Sequence, residues 1–172
     1  MKTPKKILIP VDLSVYSLAG VEYGQEIAAM FDADVILLTV EDEEMAFGHI
    51  VVDEQHEHAR HDQIVKTIQN LLVNHDLVKR NLRIEVRAGS PATEIVRAAE
   101  ELHVDLIVLS THGRTGLSHV FLGSVAEEVV RRSRCPVLTV KPEEIRELID
   151  IHEEDVLLSL HIQGQEAEPA EA

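Results

Sequence analysis

The chain predicts an α/β protein: a doubly wound, five-stranded parallel sheet with helices on both faces. Three runs, Ile7-Leu8-Ile9-Pro10-Val11, Val35-Ile36-Leu37-Leu38-Thr39-Val40 and Leu106-Ile107-Val108-Leu109, have strand length and no polar alternation. That is the pattern of strands covered on both faces. Segments with helical spacing alternate with them, and strand–helix–strand units of this kind make parallel sheets with right-handed crossovers. The 172 residues are 45% hydrophobic, enough for one domain with its own core. Aromatic residues are only 3%, so that core is built from Val, Ile, Leu and Ala.

Taken in order, Ile7 to Val11 is the first strand and Asp12-Leu13-Ser14 breaks it. Ser14 is placed to cap a helix through Phe31 whose inner stripe is Leu18, Val21, Ala28 and Phe31. Val35 to Val40 is the second strand, followed by the acidic run Glu41-Asp42-Glu43-Glu44 and a stretch from Met45 to Val52 with no clear period. A long helix starts near Asp53, with Ile64, Ile68, Leu71, Leu72 and His75 at helical spacing. Arg83-Ile84-Glu85-Val86-Arg87 alternates, so the third strand has one wetter face and belongs at an edge. Gly89-Ser90-Pro91 supplies a stop, a cap and a proline at the first helical position, and Ile95, Ala98, Ala99 and Leu102 form the stripe of the next helix. Leu106 to Leu109 is the fourth strand, Val125, Val129 and Val130 mark a helix after Ser124, and Pro136 to Val140 is the fifth strand. Beyond residues 1–141 lies an extension, 142–172. It offers a short helix from Pro142 to Asp150, an apolar segment from Val156 to Ile162 that needs cover, and about ten final residues expected to be disordered.

The densest chemistry lies between the fourth strand and the helix after it. Ser110-Thr111-His112-Gly113-Arg114-Thr115-Gly116 leads through Gly123 to Ser124-Val125-Ala126-Glu127. Strand, glycine-bearing loop and helix start together gather backbone N–H groups and a positive dipole end, the usual cradle of a phosphate. Arg114 can add a charged donor. Ser124 has two readings of equal weight: the cap of a capping box with Glu127, or a donor to phosphate. Asp12, at the end of the first strand, can take a hydrogen bond from a sugar hydroxyl or adenine amine, or can simply cap its own turn. There is no G-x-x-x-x-G-K-[ST] loop, and no residue is marked out as a base for hydrolysis, His112 and His119 being candidates by location alone.

Charge and composition exclude several classes. The formal charge is −15, but residues 142–172 hold ten acids and one base, so −9 sits in the extension and −6 on the rest. Lys and Arg are not clustered as phosphate neutralisation along a nucleic acid requires. No stretch approaches the roughly 18 apolar residues of a membrane span, and the chain reads as cytoplasmic. Cys135 is the single cysteine, which precludes an internal disulfide and reads as a packed thiol. His49, His56, His58 and His61, interleaved with Asp53, Glu54 and Glu57, could hold a divalent metal, although their spacing matches no strong ligand pattern.

Gly113, nine residues, then Gly123-Ser124, with His112-Gly113-Arg114-Thr115-Gly116 at its head, resembles the nucleotide-binding signature of the universal stress protein family, ATP-binding branch. Ile9-Pro10-Val11-Asp12 and Cys135-Pro136-Val137-Leu138-Thr139-Val140 resemble that family as well, and the matches span residues 5–141. The resemblance implies a Rossmann-like, adenine nucleotide hydrolase-like sheet in the order 3-2-1-4-5, with ligand at the switch point between strands one and four. It further implies a dimeric, ATP-binding regulator or sensor in the stress response, read by a protein partner. ATP would come with Mg²⁺ or Mn²⁺ held chiefly through the triphosphate. Pro10, Val11, Asp12 and Val40 would face the adenosine. Ser110, His112, Gly113, Arg114, Gly116, Gly123, Ser124 and Val125 would face the phosphates. Where the ATP-binding branch has a glycine this chain has Ser110, whose Cβ narrows the approach to a ligand. Family dimers pair through the last strand, here Val137, Leu138, Thr139 and Val140. Three other readings use the same residues: a slow ATP hydrolase, a structural dimer with an empty site, and a phosphoacceptor domain using Asp12, Thr111 and Lys141. The last lacks an aspartate in Val86-Arg87-Ala88-Gly89.

Overall fold

The computed structural model describes residues 3–41, 54–74, 77, 82–111 and 122–142, with the backbone alone for 54–57. All belong to one unit, Met1–Pro142. Apart from Pro142 itself, the expected helix from Pro142 to Asp150 lies outside the described residues, as do the segment from Val156 to Ile162, the last ten residues, His49 and His75.

The elements follow the predicted order. They are β1 (Lys6–Pro10), a 3₁₀ turn (Val15–Ser17) running into α1 (Leu18–Phe31), β2 (Asp34–Glu41), α2 (Glu54–Asn74), β3 (Leu82–Ala88), α3 (Pro91–Glu101), β4 (Leu106–Ser110), α4 (Ser124–Arg132) and β5 (Val137–Val140). All pairings are parallel and the strand order is β3-β2-β1-β4-β5. β1 is therefore central, and Ile7, Leu8 and Ile9 are fully buried.

Each face of the sheet carries its own core. Leu8, Ile36, Leu38, Ile107 and Leu109 pack with Ala92, Ile95, Ala98 and Ala99 of α3 and Ala126 and Val129 of α4. Ile7, Ile9, Leu37 and Val108 pack with Val21 and Ala28 of α1 and Ile68 and Leu72 of α2. α1, which follows β1, thus covers one face, and α4, which follows β4, covers the other. α1 lies close because its glycines remove side chains: a Cβ on Gly20 would sit 3.2 Å from Ser110 N, and one on Gly24 would sit 3.0 Å from Ile9 Cγ1 and nearer still to Cδ1.

Several local expectations need correction. Phe31 is not on the inner stripe of α1 but 39% exposed, because the helix ends there and the chain turns away at Asp32 in the left-handed region (φ 50°). The helix marked by Val125, Val129 and Val130 is present as α4, but of the three only Val129 is buried, its companion on the inner face being Ala126. Ser90 occupies the N-cap of α3 with Pro91 in the first turn, yet its side chain makes no cap hydrogen bond. Glu41 is not loop but the last residue of β2, held by Gly89 N–H to its carbonyl (2.9 Å) and by Arg60 Nε to its carboxylate (2.6 Å).

The third strand is an edge strand as predicted. Its alternation conceals one buried charge. The Arg87 side chain is only 12% exposed and lies among Glu101 (2.9 Å), Glu85 (3.5 Å) and Glu94 (3.9 Å). A buried guanidinium needs such partners to offset its desolvation. Cys135 is partly buried against the core, with Ser133 Oγ 3.4 Å from its sulfur.

Candidate functional site

In a doubly wound sheet of this order, the crevice lies at the carboxyl ends of the strands where β1 and β4 are neighbours and their helices leave on opposite faces. Four segments meet the requirement here. The first is the end of β1. Val11 still donates to Leu38 O (2.8 Å), and the chain then turns at Leu13, which has a left-handed backbone (φ 66°). That conformation is uncommon for a leucine and costs free energy. It folds the chain so that Asp12 Oδ1 accepts from both Ser14 N (3.1 Å) and Ser14 Oγ (2.6 Å). Ser14 Oγ accepts in turn from Ser17 N (3.3 Å) at the head of the 3₁₀ turn. The capping reading of Asp12 is thus realised, and Ser14 caps a 3₁₀ turn rather than the first α-helical turn.

The second segment is the end of β2, where Thr39 is buried and donates its hydroxyl to Val11 O (3.0 Å). Val40, partly buried, packs toward the α3 and α4 face. The third is the end of β4. Thr111, also buried, follows Ser110 and donates its N–H to Val140 O (2.8 Å), tying the strand end to β5. The fourth is the head of α4. Gly123 N donates to Thr111 O (2.8 Å), so the two ends of the intervening loop close on each other. A Cβ on Gly123 would sit 2.9 Å from that same Thr111 O. With its φ of −63° and ψ of 150°, Gly123 is needed for close approach and not for a special backbone conformation.

The capping box at Ser124 is not formed. The N-cap of α4 is Gly123, Ser124 is the first helical residue, and no side chain caps the helix. Glu127 N returns to Gly123 O (2.9 Å). The amides of Ser124, Val125 and Ala126 precede the first intrahelical bond, so helix geometry alone leaves them without a partner. Ser124 and Val125 are exposed. The sequence missed this because a serine three residues before a glutamate reads as a cap wherever it falls, while the length of the preceding loop decides which residue occupies the cap.

Of the residues expected at the site, Pro10, Val11, Asp12, Val40 and Ser110 stand at strand carboxyl ends, and Gly123, Ser124 and Val125 form the head of α4. His112, Gly113, Arg114 and Gly116 lie outside the described residues, as does His119. Thr39 and Leu13 were not singled out from sequence. Thr39 had a legible signal, being the one polar side chain in the run Val35 to Val40 and hence a group that must find a partner. Among the described residues no cluster of three His, Cys, Asp or Glu side chains is placed to hold a metal ion, and His58 and His61 are exposed on α2.

A profile of the universal stress protein family matches residues 3–141. The chain belongs to the universal stress protein family. Universal stress protein MJ0531 of Methanocaldococcus jannaschii is 35% identical over 144 residues, covering 80% of this chain and 82% of its own length. Universal stress protein MJ0577 of the same organism is 30% identical over 153 residues, covering 80% and 94%. The solved structure of MJ0577 matches this universal stress protein with a TM-score of 0.64 at 31% identity, over 81% of this chain and 97% of that one. A universal stress protein solved in complex with cAMP shares the fold, with a TM-score of 0.60 at 24% identity over 81% and 98%. The five-stranded order 3-2-1-4-5 is the family's architecture. No helix among the described residues of this universal stress protein is long and apolar enough to cross a membrane.

Proposed function

We propose that this universal stress protein is an adenine-nucleotide-binding regulator that holds ATP at the carboxyl end of its sheet. The observation that carries the reading is the head of α4. Three amides are left without a side-chain cap, at the positive end of a helix dipole, and are fastened to the end of β4 by Gly123 N–H to Thr111 O. Such a cradle fits phosphate oxygens, and Gly123 leaves it open. With its capping role removed, the Ser124 hydroxyl is available to the same anion. The family resemblance assigns His112, Gly113, Arg114 and Gly116 to the phosphate side as well, with Arg114 able to add a charged donor.

The base side is formed by Val40. In a parallel ladder a residue directs its N–H and C=O to the same neighbour. Leu38 O accepts from Val11 and Glu41 O accepts from Gly89, so the even residues of β2 face β1 and the odd ones face β3. Val40 therefore offers a donor and an acceptor toward β1, one rung past its last pair, Pro10 with Leu38. A donor beside an acceptor complements the N1 and amino group of adenine, whereas guanine presents the reverse pattern. Asp12 stands beside this position, at the end of β1, for the ribose or the base. That a related universal stress protein binds cAMP agrees with an adenine nucleotide on this fold. ATP supplies charge and phosphoryl groups when bound, and Mg²⁺ or Mn²⁺ would be carried chiefly by the triphosphate.

The reading includes a homodimer through β5. The two sheet edges differ: β3 carries Arg83 and Glu85, while β5 is Val-Leu-Thr-Val with Leu138 37% exposed. Charge protects an edge from pairing, and an apolar edge invites it.

Calorimetric titration of the purified protein with ATP and with GTP tests the function. Micromolar ATP binding with weaker GTP binding is expected. Absence of binding to either refutes it.

A further inference from the structure

We propose that Thr39 is a positioning residue for base selection: its hydroxyl occupies the Val11 carbonyl, ends the β1–β2 ladder one rung early, and so keeps the Val40 amide for the nucleotide base. The proposal rests on the nucleotide-binding reading above and assigns to it a residue that does not itself touch the ligand.

The ladder geometry carries it. Along β1, residues 7, 9 and 11 direct N–H and C=O toward β2, and the register runs from Lys6 opposite Asp34 to Pro10 opposite Leu38. Val11 N–H makes the next bond, to Leu38 O at 2.8 Å. Regular continuation would have Val40 N–H donate to Val11 O. That rung is not formed: β1 ends at Pro10, and Val11 O accepts instead from Thr39 Oγ1 at 3.0 Å. Among the described residues, no backbone bond outside the regular ladders takes the Val40 N–H. Thr39 is 3% exposed, so its hydroxyl must be satisfied internally, and Val11 O is the partner it has. The side chain is held in place by the same burial. Beyond the substituted rung the strands part, since Val11 runs into the Leu13 turn while β2 continues to Glu41. The Val40 amide is then a preorganised donor at the mouth of the crevice, and a donor at this point accepts adenine N1 and rejects the N1–H of guanine.

Thr39→Val keeps shape and burial and deletes the hydroxyl. Val11 O is then open to the Val40 amide, and the extra rung competes with the base. The expected result is a roughly tenfold loss of ATP affinity, the worth of about one hydrogen bond, with GTP affinity nearly unchanged, so that the ATP preference collapses. Thr39→Ser, which restores the hydroxyl, returns the preference. Thr39→Ala serves as a second deletion should the valine variant fold poorly.

A structural role alone would not move hydrogen exchange at a single amide. In the ligand-free protein, the Val40 amide is expected to exchange faster in wild type and Thr39→Ser than in Thr39→Val. Equal exchange together with an unchanged ATP-to-GTP ratio overturns the proposal. Should wild type bind neither nucleotide, the nucleotide-binding reading falls on its own. The ligand-free exchange then judges Thr39 alone: protection gained in Thr39→Val upholds the ladder argument, and equal exchange overturns it.

Discussion

Replacing Gly24 by alanine sets two effects of opposite sign against each other inside α1. Alanine is the better helix former by about 1 kcal/mol, so an exposed helical glycine would be stabilised by the change. Gly24 is buried, and its added Cβ would sit 3.0 Å from Ile9 Cγ1, closer to Cδ1, and 3.6 Å from Val108 Cβ. Ile9 is fully buried on the central strand and has little room to turn aside. Overpacking of this kind costs about 1–3 kcal/mol. Set against the propensity gain, this leaves a net loss of up to about 2 kcal/mol and a fall of up to about 8 °C in Tm for a chain of this size. Ile9→Val removes the Cδ1 atom and by itself costs about 0.5–1.5 kcal/mol. In the double variant the alanine methyl enters the space that Cδ1 leaves, so the losses should not add, and a favourable coupling of at least about 1 kcal/mol is expected. Urea unfolding followed by circular dichroism measures all four proteins. Stabilisation by Gly24→Ala, or additivity within about 0.5 kcal/mol, would refute the claim that glycine is there to seat α1 on β1 and β4. The point bears on function, because the same seating places Gly20 against Ser110 N at the edge of the crevice.

Two further outcomes follow from the site and the sheet edge. Ser124→Ala should change stability by less than about 0.5 kcal/mol, as for a surface residue, where loss of a true N-cap costs about 1 kcal/mol; it should nonetheless weaken ATP binding in the same titration used for wild type. Leu138→Lys, on the outer edge of β5, should yield a monomer in analytical ultracentrifugation while leaving the circular dichroism spectrum intact. A dimer that persists in this variant would exclude β5 pairing.

The order of elements, the parallel sheet, the edge position of β3 and the family were all legible in the sequence, because each depends on chemistry repeated within a few residues. Apolar runs without alternation declare buried strands, helical spacing declares the covering layers, and Arg83 to Arg87 declares an edge. Asp12 and Gly123 stood out through their setting, after a strand and before a helix, whereas Val40 came only through the family resemblance. What tertiary structure alone decided concerns partners far apart in the chain. Ser124 became the first helical residue and Gly123 the cap because Gly123 N–H is drawn to Thr111 O. Arg87 was buried because Glu94 and Glu101 of the next helix come back over it. Thr39 met Val11 because strand register placed a hydroxyl beside a carbonyl 28 residues away. Local pattern sets which segments are strands and helices, since it acts through nearest neighbours along the backbone. The partner of each polar atom is set by register and packing, which depend on every strand of the sheet at once.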